Sequence, residues 1–237
     1  MTLAQLLVVQ THDSAIDRLT HQRTVLPEIK ALEDCDVEQT HLETARAEIS
    51  QRRHELEREQ KRFEDEVALF QDRRNVENER LYSGAVTAIK DLQALQSELE
   101  VLAKRQSTIE EQVLEVMERA EPVDAELADV DAKIAAVAER RTKATASLAE
   151  SQAAIDAEIE SEMQARVTAA APIDAALLQQ YEQTRHDCGG VGIAKLTAKT
   201  CEGCHLQLAA VAYDRIRKEP ADSMIHCPEC ERILVRD

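Results

Sequence analysis

Four cysteines near the C-terminus are the residues best suited to carry chemistry. They form two pairs, Cys201-Glu-Gly-Cys204 and Cys227-Pro-Glu-Cys230, with 22 residues between the pairs. A two-residue gap lets both thiolates of a knuckle turn toward one metal ion, and two knuckles supply the four sulfurs of a tetrahedral structural zinc site. We therefore predict one Zn²⁺ held by Cys201, Cys204, Cys227 and Cys230. The alternatives are two disulfides or four unrelated thiols.

Two histidines lie beside the knuckles and could replace a thiolate as ligands. His205 follows Cys204, and His226 precedes Cys227. Because four cysteines already complete the shell, we favour exposed or supporting roles for both imidazoles. A closed four-sulfur shell keeps no open position for water or substrate, so the predicted metal folds the C-terminal region. Chelation should then unfold residues 190–237 and leave the upstream helices intact.

The composition is that of long helices rather than of a large globular core. Only 2% of the 237 residues are aromatic, 32% are charged, and no glycine occurs between Gly84 and Gly189. Such a composition is typical of coiled coils. The chain contains neither a glycine-rich phosphate loop nor a nucleophile elbow, so we expect no catalytic residues and no enzyme.

The net charge of −17 lies entirely outside the cysteine-rich region. Residues 1–184 hold 21 Lys and Arg against 38 Asp and Glu, whereas residues 185–237 hold 8 of each. An acidic rod repels phosphate backbones and anionic membrane surfaces. The apolar start, residues 1–10, is short and lacks a basic region, so it indicates a helix rather than a signal peptide. We expect a cytoplasmic protein without membrane contact, where thiols stay reduced.

The clearest periodicity begins at Leu92 and continues for nine heptads, with eight of ten positions apolar in each series. The first series is Leu92, Leu99, Gln106, Val113, Ala120, Leu127, Ile134, Arg141, Leu148 and Ile155. The second is Leu95, Leu102, Ile109, Val116, Val123, Val130, Val137, Ala144, Ser151 and Glu158. This pattern predicts a coiled coil. Because the heptad phase continues past Pro122, we expect a kink there and not a loop.

A weaker seven-residue repeat lies upstream, at Leu42, Ile49, Leu56, Phe63 and Phe70. Between the two repeats stands Gly84, the first glycine of the chain, flanked by helical regions of similar length, roughly 1–80 and 90–170. We predict an antiparallel hairpin with Tyr82, Ser83 and Gly84 at its tip. Its seam would place Leu56, Phe63 and Phe70 beside Leu95, Leu99, Leu102, Ile109 and Val113. The alternative is one continuous helix that dimerises in parallel. Pro27 either opens or kinks the first helix.

The predicted fold is mostly α, with a long antiparallel coiled-coil hairpin followed by a small β zinc ribbon. We assign residues 1–171 to the hairpin, with its tip near 81–91, residues 172–188 to a short helix and linker, and residues 189–237 to the ribbon. The helix is expected from Ile173 to about Arg185. Residues 193–197 and 233–235 are predicted strands that lead into the first knuckle and out of the second.

The chain resembles the bacterial C4-type zinc ribbon proteins with an N-terminal coiled-coil hairpin. The resemblance covers nearly the whole length and rests on Leu81-Tyr-Ser-Gly84, Leu92-Gln-Ala-Leu-Gln-Ser-Glu98, Cys201-x-Gly203-Cys204-His205 and Cys227-x-x-Cys230-x-Arg232-Ile-Leu234. Glu231 departs from the family, which usually has a glycine there. The resemblance implies a helical stalk with a zinc head that acts as an adaptor or chaperone-like factor. Members in other bacteria are tied to the sigma-54 class of sigma factor and to flagellar or secretion systems.

Two functions compete on these observations. The first is a non-enzymatic adaptor that binds protein partners. The second, which is also often suggested for the family, is nucleic-acid binding, with Arg215, Arg217 and Lys218 on a short helix as candidate contacts. We favour the adaptor, because the ribbon is neutral and carries one aromatic residue, Tyr213. We expect a monomer or weak oligomer. Cys35 is interpreted as a small apolar helix residue, and Cys188 as structural rather than redox-reactive.

Overall fold

The computed structural model describes residues 3–220 and 223–236, which form five α-helices and one three-stranded sheet. The helices are α1 (Leu3–Thr24), α2 (Pro27–Tyr82), α3 (Ile89–Ala170), α4 (Ala175–Asp187) and α5 (Ala210–Lys218). The strands are β1 (Ile193–Thr197), β2 (Thr200–Cys201) and β3 (Ile233–Arg236). The mostly helical fold with a long hairpin and a small C-terminal ribbon was predicted correctly. None of the described helices is long and apolar enough to cross a membrane.

Two prolines occupy different positions in the helices: Pro27 begins one helix, and Pro122 lies inside another. The expected first helix is in fact two helices, since α1 ends at Thr24 and Pro27 is the first residue of α2. A residue before proline avoids the α conformation, and proline at a first helical position loses no hydrogen bond because its N–H would have no partner there. Pro122, by contrast, lies inside α3, which continues without a loop.

The chain divides into two compact units. The hairpin unit comprises Ala31–Lys143, and the ribbon unit combines Met1–Lys30 with Ala144–Asp237. In the hairpin unit, α2 and α3 run antiparallel, as ion pairs between Arg46 and Asp131 and between Arg53 and Asp124 show. Each seven-residue step along one helix is matched by a seven-residue step in the opposite direction along the other.

The predicted seam of the hairpin was wrong at Leu56. This residue packs in a cluster with Val116, Ala120 and Val123, which lie further from the tip than its predicted partners Leu95–Val113, and Phe63 lies against the same cluster. The ion pairs and the polar side chains that cross between the helices set this register, and the heptad pattern alone does not contain that information.

Gln106 is a polar residue in the apolar seam and is buried. Its amide oxygen accepts a hydrogen bond from Arg74 (2.7 Å), and its amide nitrogen donates to Gln71 (3.1 Å) and Glu110 (2.7 Å). The bonds to Arg74 and Gln71 cross from α3 to α2, so a slip of register breaks them, whereas the bond to Glu110 lies within α3. A buried polar group with such crossing partners favours the one register that satisfies it.

In the ribbon unit, the sheet packs directly against helices. Its strand order is β2-β1-β3, with β1 antiparallel to β2 and parallel to β3. Ile193 and Ile233, paired across β1 and β3, share a core with Leu6 and Val9 of α1 and with Tyr181 of α4. The ribbon therefore has two cores, one around its cysteines and one built jointly with α1 and α4.

Gln10 of α1 holds the linker that leads into the sheet. Its amide nitrogen donates to the carbonyl of Gly190 (2.9 Å), and its amide oxygen accepts from the N–H of Gly192 (2.7 Å). A Cβ on Gly192 would lie 2.9 Å from backbone atoms of Tyr181 and Arg185. The linker thus runs between α1 and α4 at a distance that only glycine permits.

Asp13 anchors a buried polar network in the same unit. Only 4% of the residue is exposed, and it accepts hydrogen bonds from the Tyr181 hydroxyl and from Arg166, both at 2.7 Å. Arg185 pairs with the exposed Asp17 at 2.5 Å and lies 3.8 Å from Asp13. Burial and the Asp13 carboxylate raise the pKa of Tyr181, so the phenol remains a hydrogen-bond donor at neutral pH.

Candidate metal centre and binding surfaces

The two knuckles have the same backbone hydrogen-bond pattern. In the first, Cys201 donates its N–H to Leu206 (3.1 Å), and His205 donates back to Cys201 (2.7 Å). In the second, Cys227 donates to Arg232 and Glu231 donates to Cys227, both at 2.8 Å. Each loop therefore turns its two thiols toward the same side, and the two loops face each other.

The four predicted cysteines come together as a compact group of sulfurs. The Sγ atoms of Cys201 and Cys230 are 3.9 Å apart, those of Cys204 and Cys227 are 4.0 Å apart, and all four lie within 4.8 Å of one another. A tetrahedral metal with bonds of about 2.3 Å to sulfur has sulfur–sulfur edges near 3.8 Å. The arrangement fits one four-coordinate ion, and none of these cysteines is in a disulfide.

Burial and hydrogen bonding shift the pKa values of these thiols. Cys201 and Cys227 are almost completely buried, and burial raises the pKa of Cys227 to about 12 and raises that of Cys201 as well. Burial also acts against ionisation of Cys230, but hydrogen bonds from the Arg232 backbone and neighbouring thiols lower its pKa overall. A metal ion must therefore displace protons to bind, so affinity should fall as the pH falls.

Arg232 stabilises the first knuckle through hydrogen bonds, a role that sequence reasoning missed. Its guanidinium donates to the carbonyl oxygens of Val191 (2.9 Å), Gly203 (3.2 Å) and Cys188 (3.2 Å). A Cβ on Gly203 would lie 2.7 Å from Cδ of Arg232. The sequence signal for this role is the Cys-x-x-Cys-x-Arg ending, in which Arg232 follows the last cysteine by two residues.

The two neighbouring histidines lie outside the sulfur group. Among the described residues, the only cluster suited to a metal consists of the four cysteines. His226 Nδ1 is 2.7 Å from the carbonyl oxygen of Glu231, and His205 is exposed. These positions fit the favoured interpretation, in which four thiolates complete the shell and the imidazoles lie outside it.

Each knuckle ends in a left-handed residue. His205 has φ +60° and Glu231 has φ +62°, so Glu231 adopts the conformation that a glycine would take there without strain. The turn therefore keeps its geometry without a glycine. A residue with a side chain is less stable by roughly 1–2 kcal/mol in this left-handed backbone conformation.

We expect Glu231→Gly to stabilise the second knuckle. Relief of roughly 1–2 kcal/mol of backbone strain exceeds the roughly 0.5–1 kcal/mol of chain entropy that glycine loses on folding. The net gain of about 0.5–1 kcal/mol should appear as slower hydrogen exchange at β3 in the metal-loaded protein. Glu229→Gly, in the same loop without positive φ, is the control and should speed exchange. Equal effects of the two substitutions would contradict this explanation.

The basic residues proposed as nucleic-acid contacts lie on α5. Arg215, Arg217 and Lys218 are all exposed in its last turn. The structure adds Lys199, which the sequence did not suggest, because its Nζ lies 5.8 Å from the Tyr213 ring centroid and Cζ of Arg217 lies 6.0 Å from it. Two cations thus flank the one aromatic ring of the ribbon.

The hairpin tip is open to solvent. Residues 83–88 connect α2 and α3, Gly84 has φ +73°, and the Ser83 hydroxyl donates to the carbonyl of Arg80 (3.0 Å). Tyr82, the last residue of α2, is 80% exposed, and Ile89, the first residue of α3, is 75% exposed. A Cβ on Gly84 would meet nothing within 4 Å. Two large apolar side chains therefore project next to an uncovered turn.

The two remaining cysteines have no place in the sulfur group. Cys35 is buried within α2. Cys188 Sγ donates to the carbonyl of Cys230 at 3.4 Å, and burial raises the pKa of its thiol. A raised pKa keeps Cys188 in the less reactive thiol form, which supports the structural interpretation over redox reactivity.

Comparisons with known proteins agree with this architecture. Residues 9–189 match the CT398-like coiled coil hairpin domain, and residues 200–234 match the C4-type zinc ribbon domain. An uncharacterized protein of Mycobacterium tuberculosis is 29% identical over 231 residues, which cover 98% of this chain and 94% of the relative.

Solved structures share the fold along 99% of this chain and 97% of each compared chain. A Mycobacterium smegmatis protein has a TM-score of 0.87 at 26% identity. CT398 from Chlamydia trachomatis has 0.68 at 20%, and the HP0958 protein from Helicobacter pylori has 0.53 at 15%. On the match over residues 9–189, this chain belongs to the CT398-like coiled-coil hairpin family.

Proposed function

We propose that the protein is a non-enzymatic adaptor that binds protein partners, with one Zn²⁺ holding its ribbon in shape. The matched zinc ribbon domain and the sulfur spacing both support zinc as the ion. Four thiolates fill a tetrahedral shell, so this site would stabilise a fold rather than activate a water molecule.

Exposed apolar side chains at the hairpin tip carry the proposal of protein binding. In the hairpin unit, apolar side chains fill the seam, and ion pairs such as Arg140–Glu38 lie on its surface. Single apolar side chains such as Leu114 are also exposed along the helices, but Tyr82 and Ile89 are more exposed, at 80% and 75%, and they flank the same turn. Exposed apolar residues grouped at one place mark interaction sites, and a tyrosine in such a group is a frequent binding anchor.

The test compares two variants of the tagged full-length protein recovered from its native cells. Tyr82→Ser with Ile89→Ser should remove specific co-purifying proteins, because the apolar anchors are gone. Leu114→Ser with Met117→Ser removes two other exposed apolar side chains of α3 and should leave those proteins in place. An unchanged set of proteins with the tip variant would refute binding through the tip.

Nucleic-acid binding by the ribbon is the second candidate, and Lys199 and Arg217 beside Tyr213 are the observation that favours it. It ranks second because few cations are available for phosphate contacts, so affinity at physiological salt should be weak with a shallow salt dependence.

For DNA and RNA oligonucleotides at about 150 mM salt, we expect fluorescence anisotropy to show only weak binding. Any binding should decrease in Lys199→Ala with Arg217→Ala, and should persist in Lys104→Ala with Arg105→Ala, which removes the same charge from α3. Sub-micromolar binding that depends on Lys199 and Arg217, or on Arg215, Arg217 and Lys218, would reverse the order of the two functions.

A further inference from the structure

The turn at the hairpin tip differs in charge from the rest of the helices. Residues 80–90 include Arg80 and Lys90 and contain no Asp or Glu, although the chain has 46 acidic residues. The same eleven residues include the exposed Tyr82 and Ile89. The tip is therefore an apolar surface bordered by two positive charges in an otherwise acidic helical region.

Both cations are available to a partner. The Arg80 side chain is 62% exposed, and its ion pair with Glu77 is long at 3.7 Å. A pair of this length to a largely exposed arginine is weak, although the Glu77 side chain is only 22% exposed. Lys90 is exposed in the first turn of α3.

We propose that the tip docks into an apolar pocket bordered by carboxylates on a partner protein. This inference rests on the protein-binding function proposed above and specifies its chemistry. Tyr82 and Ile89 fill the pocket as anchors, while Arg80 and Lys90 pair with the acidic border. Apolar anchors surrounded by complementary charges are the usual composition of a specific interface.

Charge favours a protein over an anionic membrane surface as the occupant. Immediately behind the turn, α2 carries Glu77 and Glu79, and α3 carries Asp91. A membrane surface is broad, so headgroups that attract Arg80 and Lys90 would also approach these carboxylates and be repelled. A pocket of limited size can contact the turn alone.

The experiment places a photo-crosslinking amino acid at Thr87, an exposed residue of the turn, in the full-length protein within its native cells. Three backgrounds are compared: no further change, Arg80→Glu with Lys90→Glu, and the matched reversal Lys104→Glu with Arg105→Glu. We expect a protein adduct whose mapped peptide contains apolar residues beside Asp or Glu. Its yield should fall at least tenfold in the tip reversal and stay unchanged in the matched reversal.

The outcomes separate this inference from the proposed function. An adduct that survives the tip reversal leaves protein binding in place and overturns the acidic border. An adduct peptide from this same chain shows that a second copy is the occupant, which also overturns the proposal. Sedimentation of the purified protein with vesicles of phosphatidylcholine and phosphatidylserine, lost in the tip reversal, would assign the tip to a membrane. No adduct in any background, together with unchanged co-purification in Tyr82→Ser with Ile89→Ser, would remove both proposals.

Discussion

Removal of the metal is expected to loosen α1 and α4 as well as the ribbon. Zinc binding to four cysteines typically contributes about 10–16 kcal/mol that is coupled to folding, so the cysteine core should not persist without it. Because Ile193 and Ile233 share a core with Leu6 and Val9 of α1, loss of the sheet exposes that helix face. The response should therefore extend beyond residues 190–237, the region that the cysteine pattern alone predicts to unfold.

Hydrogen exchange with and without a zinc chelator, under reducing conditions, measures this effect. Exchange should increase at β1 and β3 and also in the first half of α1, while the hairpin seam around Leu56 and Val123 stays protected. Added zinc should restore the original pattern. Increased exchange confined to the ribbon, with α1 unchanged, would show that the cysteine core and the helical core fold independently.

Asp13→Ala is expected to destabilise the ribbon unit by roughly 1–3 kcal/mol, the usual cost of leaving a buried hydrogen-bond donor unsatisfied. The substitution leaves the buried Tyr181 hydroxyl without an acceptor and removes one partner of Arg166, which keeps its ion pair with Glu182. Folded protein should therefore decrease, and its thermal unfolding should begin at lower temperature.

Asp17→Ala is the matched control for this substitution. Asp17 lies four residues further along α1 and pairs with Arg185, but its side chain is half exposed, so its loss should cost less than about 1 kcal/mol. Thermal unfolding followed by circular dichroism compares the two variants. Equal destabilisation by both would contradict a special role for the buried carboxylate.

Local sequence signals predicted the elements of this protein well. The cysteine spacing indicated two knuckles because a two-residue gap has few ways to direct both thiols to one side. Gly84 indicated the turn between two long helices, and its φ of +73° shows why a glycine suits that position. The strand from Ile193 to Thr197 was also predicted with its observed bounds.

Long-range packing was not accessible from the same signals. The hairpin register depends on side chains that cross between helices, such as Arg53 with Asp124 and the buried Gln106 with Gln71. The hydrogen bond between Gln10 and Gly192 joins residues 182 positions apart, and no periodic pattern connects them. Likewise, Lys199 reaches Tyr213 only because the turn between β1 and β2 places it there.

The metal content of the purified protein shows whether the four cysteines hold a zinc ion. Elemental analysis of protein prepared without chelator should give one zinc per chain. Cys201→Ser with Cys227→Ser removes one sulfur from each knuckle and should abolish that zinc, because two thiolates cannot complete the shell. Protein without zinc, or zinc retained by the double variant, would contradict a metal centre formed by Cys201, Cys204, Cys227 and Cys230.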